Sequence, residues 1–243
     1  MKLLISPFNV EEAKIVINSQ VVDIIDVKNP LEGSLGANFP DVIKEIIRLV
    51  RSNNNNNDNS LKISATIGDL RNFPGTASLA ALGAATLGLN YIKIGIKIND
   101  EQSARYLLKK VTQTVKDYNS TIKVVGATYA DYKRFDALNP LKLPNIVTDS
   151  GADVAMIDTG IKTDGKSLFD FLDHDKLVNF LTNCRQNGIL TALAGSLNVN
   201  HINKLKTLNP DIIGIRGAVC EKNDRLNGTM KRKKILEFKN LMN

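Results

Sequence analysis

The sequence holds only two cysteines and two histidines in 243 residues, and no apolar run long enough to span a bilayer. Cys184 and Cys220 stand far apart in no metal-ligand spacing. A disulfide framework or zinc site is therefore not expected, and buried thiols in a reducing cytoplasm fit best. His174 and His201 fall in or near amphipathic stretches, away from the ends of the apolar runs. No glycine-rich dinucleotide fingerprint follows the first strand-like segment, and no Glu-rich cluster gathers at the strand ends. Lysine and aspartate chemistry is what remains, with no metal and no organic cofactor. The opening residues, Met1 to Val10, carry one lysine and lead into a polar helix rather than a leader's apolar core.

Positive charge is in excess. The 32 Lys and Arg against 25 Asp and Glu leave +7, which suits nucleic acid, an anionic membrane surface or a phosphorylated metabolite. Much of the excess falls between Lys231 and Lys239, where Lys-Arg-Lys-Lys reads as a solvated helix face. Nucleic-acid and membrane partners are accordingly not expected, and a small phosphorylated substrate is.

Short β-branched runs recur along the whole chain: Leu3 to Ile5, Val22 to Val27, Ile63 to Ile67, Tyr91 to Ile96, Lys123 to Thr128, Val154 to Ile157, Leu190 to Leu193 and Ile212 to Ile215. Amphipathic stretches separate them, at Val10 to Ser19, Phe39 to Arg51, Thr76 to Leu87, Glu101 to Tyr118, Asp170 to Gln186 and Asn198 to Leu208, with a last one from Leu226 to Met242. Strict alternation predicts parallel strands joined by right-handed crossovers. At 243 residues, the expectation is an α/β fold of one domain over 1–243, a single (β/α)8 TIM barrel. The weakest unit is Tyr129 to Thr148, with Asn139-Pro140, Leu143-Pro144 and only a short helical stretch. The run Asn53 to Asn57 reads as an inert, mobile loop extension on the face opposite the active site.

Active sites of such barrels form at the carboxyl ends of the strands. In the second strand, period-two alternation puts Ile24, Asp26 and Lys28 on one face, which predicts an ionisable pair inside the barrel. Buried ion pairs stabilise little, so a functional role is favoured over a structural one. Lys93 interrupts the apolar fourth strand. Pointing inward, it would depress the pKa of Lys28 and supply the neutral amine that attacks a carbonyl. Pointing outward, it would snorkel between helices. Asp158 ends the sixth strand as a candidate acid or base, and Lys162 follows it as a candidate phosphate ligand. Gly195, Ser196, Arg216 and Gly217 follow the last two strands, where barrels of this kind bind phosphate through backbone N–H groups.

Longer blocks go further. They are Asp23-Ile-Ile-Asp-Val-Lys-Asn-Pro with Glu32-Gly-Ser-Leu-Gly-Ala-Asn-Phe-Pro40, Ser64-Ala-Thr-Ile-Gly-Asp69, Pro74-Gly-Thr-Ala-Ser-Leu-Ala-Ala-Leu-Gly-Ala-Ala85, Tyr91-Ile-Lys-Ile-Gly95, Asp149-Ser-Gly151, Asp158-Thr159, Ala192-Leu-Ala-Gly-Ser196 and Gly214-Ile-Arg-Gly-Ala218. Through these, nearly the whole chain resembles the archaeal (5-formylfuran-3-yl)methyl phosphate synthases of methanofuran biosynthesis, also called 4-(hydroxymethyl)-2-furancarboxaldehyde-phosphate synthases. The resemblance implies a lyase that condenses two molecules of glyceraldehyde 3-phosphate into a phosphorylated furan aldehyde, losing phosphate and water. It implies a Schiff base on Lys28 and proton transfer by Lys93, with Asp26, Asp158 and Lys162 at other polar positions of the family. A further family lysine falls near Lys62. The chain departs from the family pattern at Asn53 to Asn57 and at Lys162-Thr163-Asp164-Gly165.

Two rivals stand beside this reading. A class I aldolase or transaldolase-like enzyme would share the lysine and release an open-chain product. A sensor barrel would bind triose phosphate without turnover. A homo-oligomer is compatible with the fold, although the sequence offers no interface argument.

Overall fold

The computed structural model describes residues 1–53 and 61–243. The expected loop extension after Asn53 lies outside the described residues. Eight parallel strands pair in sequence order and close on themselves. They are β1 (Lys2–Ile5), β2 (Ile24–Val27), β3 (Lys62–Leu70), β4 (Tyr91–Ile96), β5 (Lys123–Tyr129), β6 (Val154–Asp158), β7 (Leu190–Leu193) and β8 (Ile212–Ile215). A helix follows each: α1 (Val10–Ser19), α2 (Pro40–Asn53), α3 (Pro74–Ala85), α4 (Glu101–Tyr118), α5 (Leu143–Ser150), α6 (His174–Gln186), α7 (Ile202–Leu208) and α8 (Arg232–Met242). The chain is a single (β/α)8 barrel.

Local chemistry explains most helix starts. Asn9 caps α1 by accepting from the Glu12 N–H at 2.9 Å, Asp100 caps α4 through Ser103 at 2.7 Å, and Asp173 caps α6 through Lys176 at 2.9 Å. Pro74 and Pro144 occupy first-turn positions of α3 and α5, where a missing N–H costs nothing. The largest corrections to the expected boundaries lie in the last three helices. The Asp173 cap starts α6 at His174, after a separate turn at Leu168–Asp170. The stretch from Asn198 opens as a 3-10 turn, Val199–His201, before α7. The last helix begins at Arg232, because the chain before it is drawn into a bridge between Cys220 and Met230. In α8, Ile235, Phe238 and Met242 face the core while Arg232 and Lys233 are exposed.

Two apolar layers result. The larger packs helices on the outside of the barrel, with Ile5, Val27, Ile92 and Ile157 pointing outward to them. The smaller fills the interior with Leu4, Ile24, Tyr91, Val125, Val154 and Met156. Inward positions change character toward the carboxyl ends, where Ile24 gives way to Asp26, Tyr91 to Lys93, and Met156 to Asp158. Every one of these six side chains is buried. The interior is thus apolar at one end and ionic at the other.

The β2–α2 connection, residues 29–39, folds over half of the ionic end. Leu35 is fully buried and joins the interior cluster. The Thr66 hydroxyl donates to Leu35 O at 2.7 Å, Leu35 N–H donates to Asp69 at 3.2 Å, and the Ser34 hydroxyl donates to Thr159 O at 2.7 Å. Gly36 permits the fold-back, since a Cβ there would run into Asn29 O. The barrel mouth over β3 to β5 is filled by this strap, and the side toward β6, β7, β8 and β1 stays open.

Candidate active site

The open side is a cavity of about 280 Å³. Lys28, Lys93, Asp158 and Lys162 line it together with the loops after β7 and β8.

Asp26 is the most enclosed charge in the site. Its carboxylate accepts from Lys93 Nζ at 2.6 Å, from the Ser64 hydroxyl at 2.7 Å and from the Ser6 hydroxyl at 3.1 Å. Burial pushes its pKa up, but Lys93, Lys28 and the Ser64 hydroxyl outweigh it and hold the group below its ordinary 3.8. The register places Asp26 beside Ser64 and Thr66 beside Lys93. Lys93, only 1% exposed, therefore points inward rather than snorkelling between helices.

Lys28 follows the last residue of β2. It makes no hydrogen bond to Asp26 among the described residues; its Nζ donates to Ser34 O at 3.2 Å on the strap. Burial is the main force on it. Asp158 opposes that force, Lys93 and Lys162 reinforce it, and the net result lowers its pKa to about 7. Near neutrality this lysine is divided between ammonium and free amine. Asp158 is pushed up by burial, but Lys162, Lys28 and the Thr159 N–H hold it at about 2. Lys162 pairs with Asp158 and also donates to the Thr159 hydroxyl at 2.8 Å. Asp131 fixes the loop that carries Lys162 by accepting from Gly160 N–H at 2.6 Å and Ile161 N–H at 2.9 Å.

Gly195 and Ser196 form a turn with φ of +106° and +49°. A Cβ at position 195 would stand 2.9 Å from the Thr159 methyl, so glycine is required both for space and for backbone conformation. Gly195 and Ser196 donate no backbone hydrogen bond among the described residues, and both line the cavity with Gly217. Such N–H groups suit an anion.

Arg216 also borders the cavity, but its guanidinium is already committed. It forms a bidentate pair with Glu12 of α1 at 2.6 and 3.1 Å, donates to Ser6 O at 2.8 Å, and donates through Nε to Arg225 O at 2.8 Å. Any part of Arg216 in the expected phosphate cradle falls to its backbone, because the guanidinium ties β8 to the Ser6 segment that supports Asp26. Lys62 begins β3 at the amino end of the barrel, away from the cavity. The histidines lie on the outer ring, at the start of α6 and in the 199–201 turn. No cluster of His, Cys, Asp and Glu suited to a metal ion occurs among the described residues, and no helix among them is long and apolar enough to cross a membrane. Cys184 and Cys220 are buried with pKa values pushed up to about 12 and about 11, chiefly by burial, which makes them poor nucleophiles.

Five participants carried no strong sequence signal. Ser6, Ser64 and Asp131 are small or ordinary polar residues whose importance comes only from what they touch. Glu12 reads as a first-turn helix acid, and Arg225 sits in an irregular loop.

A parallel barrel with a buried lysine beside two buried lysine–carboxylate pairs at its carboxyl end has the architecture of a barrel enzyme. The comparisons narrow the class: the chain belongs to the 4-HFC-P synthase family, whose model matches residues 3–239. It is 52% identical to a (5-formylfuran-3-yl)methyl phosphate synthase of Methanosarcina barkeri over 221 residues, covering 90% of this chain and 91% of that one. It is 48% identical to the protein of the same name from Methanocaldococcus jannaschii over 242 residues, covering 99% of each. Among solved structures, 3-hexulose-6-phosphate synthase superposes with a TM-score of 0.63 at 16% identity, covering 98% of this chain and 99% of that one, a likeness of fold.

Proposed function

We propose that this protein is a (5-formylfuran-3-yl)methyl phosphate synthase of methanofuran biosynthesis, a lyase that joins two glyceraldehyde 3-phosphate molecules through a Schiff base on Lys28. The observation that carries this reading is a buried Lys28 with its pKa lowered to about 7, lining a cavity beside the Lys93–Asp26 pair. Only an unprotonated amine adds to an aldehyde, and an ordinary lysine is almost wholly protonated near neutral pH.

Neutral Lys28 attacks the carbonyl of the first triose, and loss of water gives an iminium. The iminium acidifies the neighbouring C–H, a base removes that proton, and the resulting enamine expels its phosphate to leave an unsaturated iminium, to whose terminal carbon the second triose adds through the enol carbon next to its own aldehyde. Ring closure of the first triose's hydroxyl onto that aldehyde, loss of two waters and hydrolysis of the iminium give the aromatic furan and free Lys28. Lys93 moves protons at the reacting carbon and oxygen, and the Asp26 carboxylate orients its ammonium. Asp158 is kept ionised by its pairing with Lys162 and favours the cationic iminium electrostatically. The amides of Gly195, Ser196 and Gly217 hold the phosphate that is retained.

Because Lys28 must be neutral, kcat/KM is expected to rise about tenfold per pH unit below pH 7 and to level off above it. A profile flat from about pH 5 to 9 would contradict a titrating nucleophile.

The direct test is borohydride reduction in the presence of glyceraldehyde 3-phosphate, with mass spectrometry of the peptides and spectroscopy of the product. A triose adduct on Lys28 and a near-ultraviolet aromatic aldehyde support the proposal. An adduct with an open-chain sugar phosphate instead would make the protein an aldolase-type enzyme. Binding with neither adduct nor turnover would make it a sensor.

A further inference from the structure

We propose that Arg225 and Lys162 form a second anion subsite, which takes the phosphate of the triose that loses it. The inference rests on the two-triose reading above and adds to it where the departing phosphate sits.

The argument starts from the cations that line the cavity. Lys93 is paired with Asp26 and Arg216 with Glu12, Lys28 is the proposed nucleophile, and Lys162, though paired with Asp158 and Thr159, keeps one of its three N–H donors. Arg225 is the remaining one, and it has no carboxylate partner among the described residues. It is half-buried in the loop between β8 and α8, and its Nη2 donates to Gly33 O on the strap at 3.3 Å. Its backbone is held by the Arg216 Nε–H on Arg225 O. The arm is thus anchored at its base by a buried ion pair, and its head reaches across the mouth between the β8 and β2 loops. Burial is the main influence on the guanidinium, and Asp158, which lines the same cavity with Lys162, is the strongest charge acting on it. Arg225 in turn acts on Lys162 as a like charge. Arg225 and Lys162 line the same cavity, and an anion bound by both would offset the repulsion between their like charges.

The chemistry requires such a place. Two trioses bring two phosphate dianions into one cavity, and the β7 and β8 amides form a cradle for one. The second must also leave. In the elimination, a proton departs from the carbon next to the iminium carbon and its C–H electrons form a C=C bond. The C–O bond to phosphate breaks with its electron pair on oxygen, and the departing phosphate takes up a proton to match the one released at carbon. Negative charge grows on that oxygen as the bond breaks. A guanidinium fork and an ammonium meet growing charge better than neutral amides do. A subsite at the mouth also gives inorganic phosphate a short path out.

The test uses Arg225→Gln, which keeps an amide donor for Gly33 O and removes the charge, alongside Arg225→Lys, with thermal melts to confirm folding. Borohydride labelling of Lys28 by the first triose should persist in Arg225→Gln, while phosphate release falls roughly 10²-fold and Arg225→Lys recovers part of it. Unchanged phosphate release would overturn the subsite, and so would loss of the Lys28 label. Calorimetry with inorganic phosphate, which needs no turnover, separates this inference from the reaction it rests on. Two bound phosphates per wild-type chain and one in Arg225→Gln support the subsite. Equal stoichiometry in the two proteins rejects it, whatever the wild type catalyses.

Discussion

Lys28→Arg is expected to abolish both the borohydride adduct and turnover, lowering kcat by on the order of 10⁴-fold or more, as removal of a covalent nucleophile does. The variant is informative because arginine retains a positive charge and N–H donors that can still reach Ser34 O, so binding of a phosphorylated ligand should survive. A guanidinium stays protonated at every accessible pH and forms no imine. The wild-type site, in contrast, holds its lysine at a pKa of about 7. Loss of turnover with ligand binding intact would place the defect in the covalent step. Substantial residual turnover, or an adduct that moves to Lys93 or Lys162 at the wild-type rate, would remove Lys28 from the mechanism.

Asp26→Ala is expected to cost about 3–5 kcal/mol of stability, because it leaves the Lys93 ammonium buried with no counter-charge. Lys93 is 1% exposed and Asp26 fully buried, so solvent cannot replace the missing partner. The pH dependence has a definite sign. Asp26 has its folded pKa below 3.8, so its contribution is present above that pH and is lost as acid protonates it in the native state. The deficit of the variant should therefore be full near neutral pH and shrink in strong acid. The double variant Asp26→Leu/Lys93→Met should recover most of the stability while remaining inactive, since well-packed apolar residues often match or exceed a buried ion pair. Denaturant unfolding measures both. A single variant as stable as the parent would mean that Lys93 finds another partner, and a double variant no better than the single would point to lost packing.

The fold was legible because its signals are local. Eight β-branched runs separated by amphipathic stretches mark strands and crossovers wherever the chain is read, and alternation in β2 alone predicted that Asp26 and Lys28 share a face. Lys93 was legible for a related reason, since a charge inside an apolar strand must either escape or find a partner. What stayed hidden depends on separation. Glu12 and Arg216 are 204 positions apart, and Arg225 and Gly33 are 192 apart. Nothing near Arg216 reveals that an acid from the first helix will occupy its fork, so a cation beside a glycine-containing strand end was read as a ligand. Arg225 illustrates the converse, a loop residue in no periodic pattern that becomes visible only when the closed barrel brings β8 next to β1 and the loop after β8 onto the loop after β2. Helix starts lie between the two cases. Asp173 is an ordinary cap in the sequence, and it shifted the expected boundary because a separate turn precedes it.

The depressed lysine also leaves a mark on how the whole chain exchanges protons with its solvent. Between pH 7 and 10.5 the native protein holds Lys28 mostly as the amine, whereas an unfolded chain returns it to the ammonium form. Melting in that interval must therefore draw one proton per molecule from the buffer at this position, and the linked stability contribution rises with pH until the unfolded lysine titrates as well. Calorimetric unfolding near pH 8.5 in two buffers of different ionisation heat should register that uptake as a difference in apparent enthalpy, and Lys28→Met should erase it. The proposed nucleophile thus contributes most to the stability of the empty protein on the alkaline side of neutrality.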